Sequence, residues 1–229
     1  MYKLLNIDPD VNVYVVGDIH GCYSLLLQKL KEINFNFMTD LLICVGDLID
    51  RGPENEKCIS LLKEHWFRMI KGNHEAFCVA GVYQDDVKYV HSMSNNGGDW
   101  FYALPEDMQL YIANRFKQLP TILEVTYMDR NFGFVHADVP IHDWSALKAA
   151  IQNKSLISHR KIEDLCLWSR DIVYQDDITI SNIHNVFLGH TVLDKPKQVG
   201  NCTFLDTGAV FKDKSTTEHL TIIKLRDYV

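Results

Sequence analysis

Apolar residues along the chain fall in short β-rich runs, and each run stops at Gly, Asp, Asn or His. Residues 13–16 lead into Gly17, Asp18, Ile19, His20 and Gly21, and residues 41–45 lead into Gly46, Asp47, Leu48, Ile49, Asp50, Arg51 and Gly52. Residues 67–70 run into Lys71, Gly72, Asn73, His74 and Glu75. Residues 132–135 end at His136, and residues 186–188 end at Gly189 and His190. Runs this short are consistent with buried strands. Further strands are expected at 203–205 and 220–225.

Between the runs the period is helical. Residues 24–33 set Leu26, Leu30 and Ile33 on one face, and 54–64 do the same with Cys58, Ile59, Leu61 and Leu62. Residues 106–118 open after Pro105 and space Met108, Tyr111, Ile112 and Phe116 helically. Asp143 has the chemistry of an N-cap for a helix over 144–151. The β-α alternation of the first third predicts a parallel sheet, and the strand-rich last third predicts a second one. The expectation is a layered α/β fold, central β-sheets flanked by helices, in one domain over residues 1–229. Its ligands should gather at the carboxyl ends of strands. Residues 92–98 are the best candidate for a mobile loop.

Composition narrows the setting. Of the 229 residues, 47% are apolar, which supplies a substantial core and argues against a disordered chain. No apolar run approaches the roughly 18–20 residues that span a bilayer, and the opening residues lack the apolar stretch of a signal peptide. The six cysteines are scattered without a CxxC pair, as expected of small core residues in a cytoplasmic protein. A net charge of −7 with no compensating Lys/Arg block speaks against general nucleic-acid binding.

The polar stops carry the chemistry. A lone His after a strand is usually a hydrogen-bonded loop residue, and a lone Asp after Gly is usually a turn or a cap. Here separate strands all end in nitrogen and oxygen ligand types. Asp18, His20, Asp47, Asn73, His136 and His190 together would serve two divalent metals. Gly17, Gly46, Gly72 and Gly189 each precede a candidate ligand, where freedom to take positive φ and room beside a charged centre are both useful. Asp18 and Asp47 are expected to be ionised, so two divalent cations would leave a net charge of roughly +2 for an anion to meet, and Arg51 and Arg170 would add to it.

Three strings in order, Gly17 to Gly21, Gly46 to Gly52 and Gly72 to Glu75, lie about 25–30 residues apart and resemble the signature of the phosphoprotein phosphatase family. Val135-His136-Ala137-Asp138, Leu167-Trp168-Ser169-Arg170-Asp171, Gly189-His190-Thr191 and Asp206-Thr207-Gly208 extend the resemblance over almost the whole chain. It is closest to the short bacterial and lambda-phage protein phosphatases. The resemblance implies a metallophosphoesterase fold and two divalent ions, with manganese expected and iron or zinc as alternatives. Asp18 and His20 would hold the first metal, Asp47 would bridge, and Asn73, His136 and His190 would hold the second. His74 would be the general acid, oriented by Asp50, while Arg51, Arg170 and Asn73 would grip phosphate oxygens. Eukaryotic members have Gly where this chain has Asp138, and they carry a longer C-terminal tail, so no regulatory subunits of the eukaryotic kind are expected.

The implied reaction is hydrolysis of phosphoserine and phosphothreonine monoesters in proteins by a metal-activated hydroxide, with phosphotyrosine also open. An alkoxide leaves poorly, and His74 would protonate it. The bland readings are an exposed ion pair for Asp50 with Arg51 and a structural ion pair for Arg170 with Asp171. Two rival functions stand beside the phosphatase: a dinucleoside polyphosphate hydrolase of the same superfamily, and a non-enzymatic scaffold. Every ligand, His74 and Asp50 are present, which disfavours the scaffold.

Overall fold

The computed structural model describes residues 1–153, 159–211 and 220–229. The first part of the chain runs β1 (Tyr2–Asn6), β2 (Val13–Val16), α1 (Tyr23–Glu32), β3 (Leu41–Cys44), α2 (Asn55–Ser60) and β4 (Phe67–Met69). A helical stretch follows, made of α3 (Asn73–Gly81), α4 (Asp85–His91), α5 (Asp99–Tyr102) and α6 (Glu106–Lys117). Then come β5 (Ile122–Tyr127), β6 (Arg130–Val135), α7 (Trp144–Gln152), α8 (His159–Trp168), β7 (Asn185–Leu188), β8 (Lys197–Val199), β9 (Cys202–Phe204) and β10 (Ile222–Lys224).

The strands form two sheets. One has the order β10-β2-β3-β4, and the other β1-β5-β6-β7-β9-β8. The alternation predicted for the first third is present: β2, β3 and β4 are parallel neighbours. The second sheet also exists, but the two chain ends are exchanged relative to a simple split. β10 pairs antiparallel with β2 in the first sheet, whereas β1 pairs parallel with β5 in the second. The expected strand at 220–225 therefore closes the edge of the first sheet.

Side-chain alternation explains the layering. Val13, Val15, Ile43 and Val45 face Leu123, Val125, Phe132, Phe134 and Phe187 between the sheets. The opposite face of the first sheet, through Val16, Leu42 and Cys44, packs on Leu26 and Leu30 of α1, Cys58 of α2 and Phe116 of α6. The opposite face of the second, through Ile122, Val135, Val186 and Leu188, packs on Trp144, Leu147 and Ile151 of α7 and Cys166 of α8. Burying one such leucine stabilises the fold by about 1.5–3 kcal/mol, and Leu26 and Leu30 are joined in holding α1 by the partly buried Tyr23, Leu25 and Leu27. Asp143 caps α7 as its sequence suggests, accepting from the Ala146 N–H at 2.9 Å. All six cysteines are buried and free, consistent with core packing.

Four helices have no counterpart in the sequence reading: α3, α4, α5 and α8. Residues 92–98 form the turn between α4 and α5 and lie against the site, where the Asn95 carbonyl accepts from Arg51 Nε at 3.1 Å. No helix among the described residues is long and apolar enough to cross a membrane.

Candidate active site

Parallel strands from both sheets end on one rim. Asp18 and His20 follow β2, Asp47 follows β3, and Asn73 opens α3 just after β4. His136 follows β6 and His190 follows β7. These six residues are all buried, at 0–7% exposure, so groups far apart in the chain share one buried pocket. Asp47 lies at its centre. Its Oδ2 is 3.6 Å from His20 Nε2 and its Oδ1 is 3.4 Å from His136 Nε2. Two ligand-type groups result, His20-Asp47-His74 and Asp47-His136-His190, which meet at Asp47.

Positive φ falls on the ligands more than on the glycines. His20 (46°), Asp47 (49°) and His190 (66°) all adopt left-handed backbone, as do Asp50 (73°) and Arg51 (66°). For non-glycine residues this conformation is strained, and such strain concentrates at functional sites. Among the four glycines expected to turn, only Gly46 has positive φ, at 107°. Gly72 and Gly189 are required for space instead. A Cβ on Gly72 would lie 2.1 Å from Asp47 Oδ1, and one on Gly189 would lie 2.0 Å from Asp18 Oδ1.

Hydrogen bonding fixes which imidazole nitrogens carry lone pairs. A backbone carbonyl only accepts, so the nitrogen facing it must be N–H. His20 Nδ1 donates to Ile49 O at 2.8 Å, His136 Nδ1 to Val45 O at 2.8 Å, and His190 Nε2 to Trp168 O at 3.2 Å. The remaining nitrogens converge on the pocket. His136 Nε2 and His190 Nδ1 each lie 2.9 Å from Asn73 Oδ1, and for the neutral His190 this contact sets a lone pair against a lone pair. Asp18 Oδ1 is buried without a partner. Backbone-anchored imidazoles of this kind are typical of metal-ligating histidines. The unpaired oxygen, the opposed lone pairs and the absence of thiolate from the cluster fit divalent cations bound by nitrogen and oxygen.

The electrostatics agree. Burial pushes the Asp18 carboxyl well up, reinforced by Asp206 and Asp47. Asp206 is raised to about 6 and Glu75 to about 7, again by burial and then by the charge of Asp47. Several carboxyls crowded away from water cannot all hold their charge unaided. The expectation that Asp18 is simply ionised therefore holds only with added positive charge nearby. Burial also lowers His20 and His190 to about 3, so both imidazoles are neutral as ligands must be, whereas in His136 burial is outweighed by Asp47, which raises it until cations replace that proton.

Beside this pocket stands a dyad. His74 Nδ1 lies 2.6 Å from Asp50 Oδ2, and His74 Nε2 lies 3.8 Å from Asp47 Oδ2 at the pocket itself. Asp50 is fully buried and turned inward, so it is no exposed ion pair with Arg51. Arg51 Nη1 donates to His20 Nε2, placing a guanidinium at the mouth. Arg170 is exposed, follows α8, and adds positive charge felt by His190. No ion pair joins it to Asp171 among the described residues.

Several contributors to the site have no role assigned from the sequence alone. Glu75 accepts from the backbone N–H groups of Asp47 (3.0 Å), Leu48 (2.9 Å) and Gly72 (2.7 Å), tying two ligand loops together. His91 and Trp100 both contact Asp50. Asp206 follows β9 and is buried beside Asp18, and the rule used for the other strand ends would have found it.

Comparison with known proteins accords with this geometry. Residues 11–209 match the family model described as calcineurin-like phosphoesterase. The chain is 36% identical over 211 residues to serine/threonine-protein phosphatase 1 of Salmonella typhimurium, covering 90% of each chain. It is 29% identical over 141 residues to a symmetrical bis(5'-nucleosyl)-tetraphosphatase of Actinobacillus succinogenes, covering 61% of this chain and 48% of that one. In fold it resembles a serine/threonine phosphatase structure from Saccharomyces cerevisiae, with a TM-score of 0.63 and 18% identity over 89% of this chain and 70% of that one. The chain therefore belongs to the calcineurin-like phosphoesterase family, in the branch that includes the bacterial serine/threonine-protein phosphatases.

Proposed function

We propose that the protein is a metal-dependent phosphatase acting on phosphoserine and phosphothreonine in proteins, with two divalent ions, manganese foremost. The observation that carries this reading is the match over nine-tenths of both chains to a serine/threonine-protein phosphatase, against a partial match to the tetraphosphatases. Asp18 and His20 would hold one ion, Asp47 both, and Asn73, His136 and His190 the other. When bound, the ions would supply positive charge for phosphate oxygens and activate water at neutral pH.

The chain's own residues do the rest. Arg51 and Arg170 bind and orient the phosphoryl oxygens by charge-assisted hydrogen bonds. Arg51 exchanges its contact with His20 Nε2 for a phosphate oxygen once that nitrogen serves as a ligand. His74 keeps its Nδ1 proton on Asp50 and presents Nε2 to the leaving oxygen, where it donates the proton that a serine or threonine alkoxide needs. A groove of about 860 Å³ begins at Arg51 and passes Ser92, Asn95, Trp100 and Phe211. It would receive the peptide on either side of the phosphorylated residue. We place this activity in the cytoplasm, in one domain spanning the chain.

The test is turnover of a phosphoserine peptide beside diadenosine tetraphosphate at saturating manganese. The peptide should be hydrolysed with the higher kcat/KM. The reverse preference would make the protein a dinucleoside polyphosphate hydrolase, and turnover of neither would support the scaffold.

A further inference from the structure

Asp50 is the point where four elements meet. The residue has no exposure at all, and its backbone N–H donates to Asn55 Oδ1 at 2.7 Å. Its Oδ2 lies 2.6 Å from His74 Nδ1 and also 2.6 Å from His91 Nε2. Its Oδ1 accepts from Trp100 Nε1 at 2.7 Å. An aspartate holding one catalytic histidine needs a single acceptor contact, so the contacts from His91 and Trp100 call for a reason.

The tautomers follow from the partners. An ionised carboxylate only accepts, so both imidazole nitrogens facing Oδ2 are donors. His91 Nδ1 is then the acceptor, and it meets the Tyr102 hydroxyl at 2.9 Å. The resulting chain of donors runs from Tyr102 to His91 to Asp50, with His74 sharing the same oxygen. The trio His74, Asp50 and His91 has the spacing of a metal triad. A separation of 2.6 Å from nitrogen to oxygen is that of a direct hydrogen bond, too short for an ion seated between ligands at about 2.0–2.1 Å each.

His91 is itself tightly held. It is fully buried at the end of α4. Its ring stacks on Phe77 with 16° between planes and 5.1 Å between centroids. Gly98 makes this possible, because a Cβ there would lie 2.1 Å from His91 Cδ2. Phe77 belongs to α3, the helix that carries His74. A rigid imidazole therefore holds the same carboxylate oxygen that His74 uses, while Trp100 holds the other.

We propose that His91, assisted by Trp100, is a positioning residue that fixes the Asp50 carboxylate and thereby aims His74 Nε2 at the leaving oxygen. This rests on the reading of His74 as the general acid. A carboxylate held by His74 alone can rotate about its side-chain bonds, and the imidazole rotates with it. Pinned on both oxygens, it cannot. Misplacement of about 1 Å in such a group is enough to cost orders of magnitude in rate. Because the effect acts only through proton donation, it should scale with the leaving group's need for a proton.

The experiment compares His91→Leu, His91→Gln, Trp100→Phe and His74→Asn on a phosphoserine peptide and on p-nitrophenyl phosphate, at saturating manganese. Bound manganese and melting temperature are measured for each. His91→Leu should lose about ten-fold in kcat on the peptide with KM little changed, and under three-fold on p-nitrophenyl phosphate, whose phenolate leaves unprotonated. His91→Gln keeps an N–H near the position of Nε2 and should recover most of the peptide rate. Trp100→Phe should shift the substrate ratio in the same direction, which keeps the test open should His91→Leu fail to fold. Equal losses on both substrates, or a peptide rate unaltered in both His91→Leu and Trp100→Phe, would overturn the proposal. If His74→Asn is selective for the peptide while the His91 and Trp100 variants are not, positioning alone is wrong. If His74→Asn is itself unselective, the general-acid reading falls and the positioning role falls with it.

Discussion

Ser169 Oγ donates to Asp138 Oδ2 at 2.6 Å, and this contact anchors the segment that carries Arg170. The same oxygen accepts from the Asp171 N–H at 2.8 Å, while Oδ1 accepts from the Val139 N–H at 2.7 Å. Arg170 lies between Ser169 and Asp171 and has no ion-pair partner among the described residues. Its backbone is thus fixed on both sides by a carboxylate belonging to the loop that bears His136. Asp138, read from sequence as a departure from the eukaryotic pattern, has a structural job.

Asp138→Ala should therefore weaken phosphate binding without touching a proposed ligand. Hydrogen bonds to a charged group are worth about 1.5–3 kcal/mol each, so releasing the segment costs Arg170 much of its placement. The expected result is a rise of about ten-fold in the inhibition constant for inorganic phosphate, with manganese content unchanged. Lost manganese with unaltered phosphate inhibition would assign Asp138 to the His136 loop instead.

Arg51→Ala and Arg170→Ala should each raise both the peptide KM and the phosphate inhibition constant by about ten- to a hundred-fold, from the loss of one charge-assisted contact. The two should differ in metal content. Arg51 Nη1 hydrogen-bonds His20 Nε2, so its removal frees that lone pair and should leave manganese binding intact or tighter. Equilibrium dialysis measures this. Unchanged phosphate inhibition in either variant would remove that arginine from the phosphate site.

Much of this site is legible in the sequence because one rule generates it. A parallel strand buried on both faces must end in a turn, and a ligand placed there needs no other context. Asp18, His20, Asp47, His136 and His190 follow that rule, and so does Asp206 after the strand expected at 203–205. The helices α3 and α4 do not follow from it. The first turn of α3 is Asn73, His74 and Glu75, all buried polar groups, so its inward face lacks the apolar period that marks a helix. His91 and Trp100 reach Asp50 across 41 and 50 residues, and no local pattern encodes such a contact. Of the two reasons for glycine beside a ligand, positive φ applies at Gly46 and room applies at Gly72 and Gly189, where neighbouring carboxylates exclude a Cβ.

Metal removal should abolish activity and lower thermal stability together. The buried carboxyls and the opposed lone pairs of His190 and Asn73 are unfavourable without cations, and a ligand that binds only the folded state at a hundred times its Kd stabilises it by about 2.7 kcal/mol. Chelation should therefore lower Tm by several degrees, and manganese should restore both Tm and rate. Asp47→Asn should be the most damaging single replacement, because Asp47 is shared by both ligand groups. Full activity after exhaustive chelation, or normal binding of two ions by Asp47→Asn, would refute the assignment.

Two glycine replacements separate the site from the scaffold. A methyl group at Gly189 would lie 2.0 Å from Asp18 Oδ1 and 2.8 Å from Val45 Cγ2, so the carboxylate must move away from its place among the ligands. A methyl group at Gly133 would lie 2.7 Å from the Trp144 ring, in the packing between β6 and α7. Overpacking a core in this way typically costs about 1–3 kcal/mol. Gly133→Ala should therefore lower Tm while each folded molecule keeps its normal rate and metal content. Gly189→Ala should show the opposite balance, with manganese reduced to one ion or fewer and a rate loss of about a hundred-fold, because displacing a group by 1 Å at a reacting centre is enough to produce it. The measurements are thermal melts, metal analysis and active-site-normalised kcat on the same preparations. A Gly189→Ala protein that binds two ions and turns over normally would mean that Asp18 holds no metal.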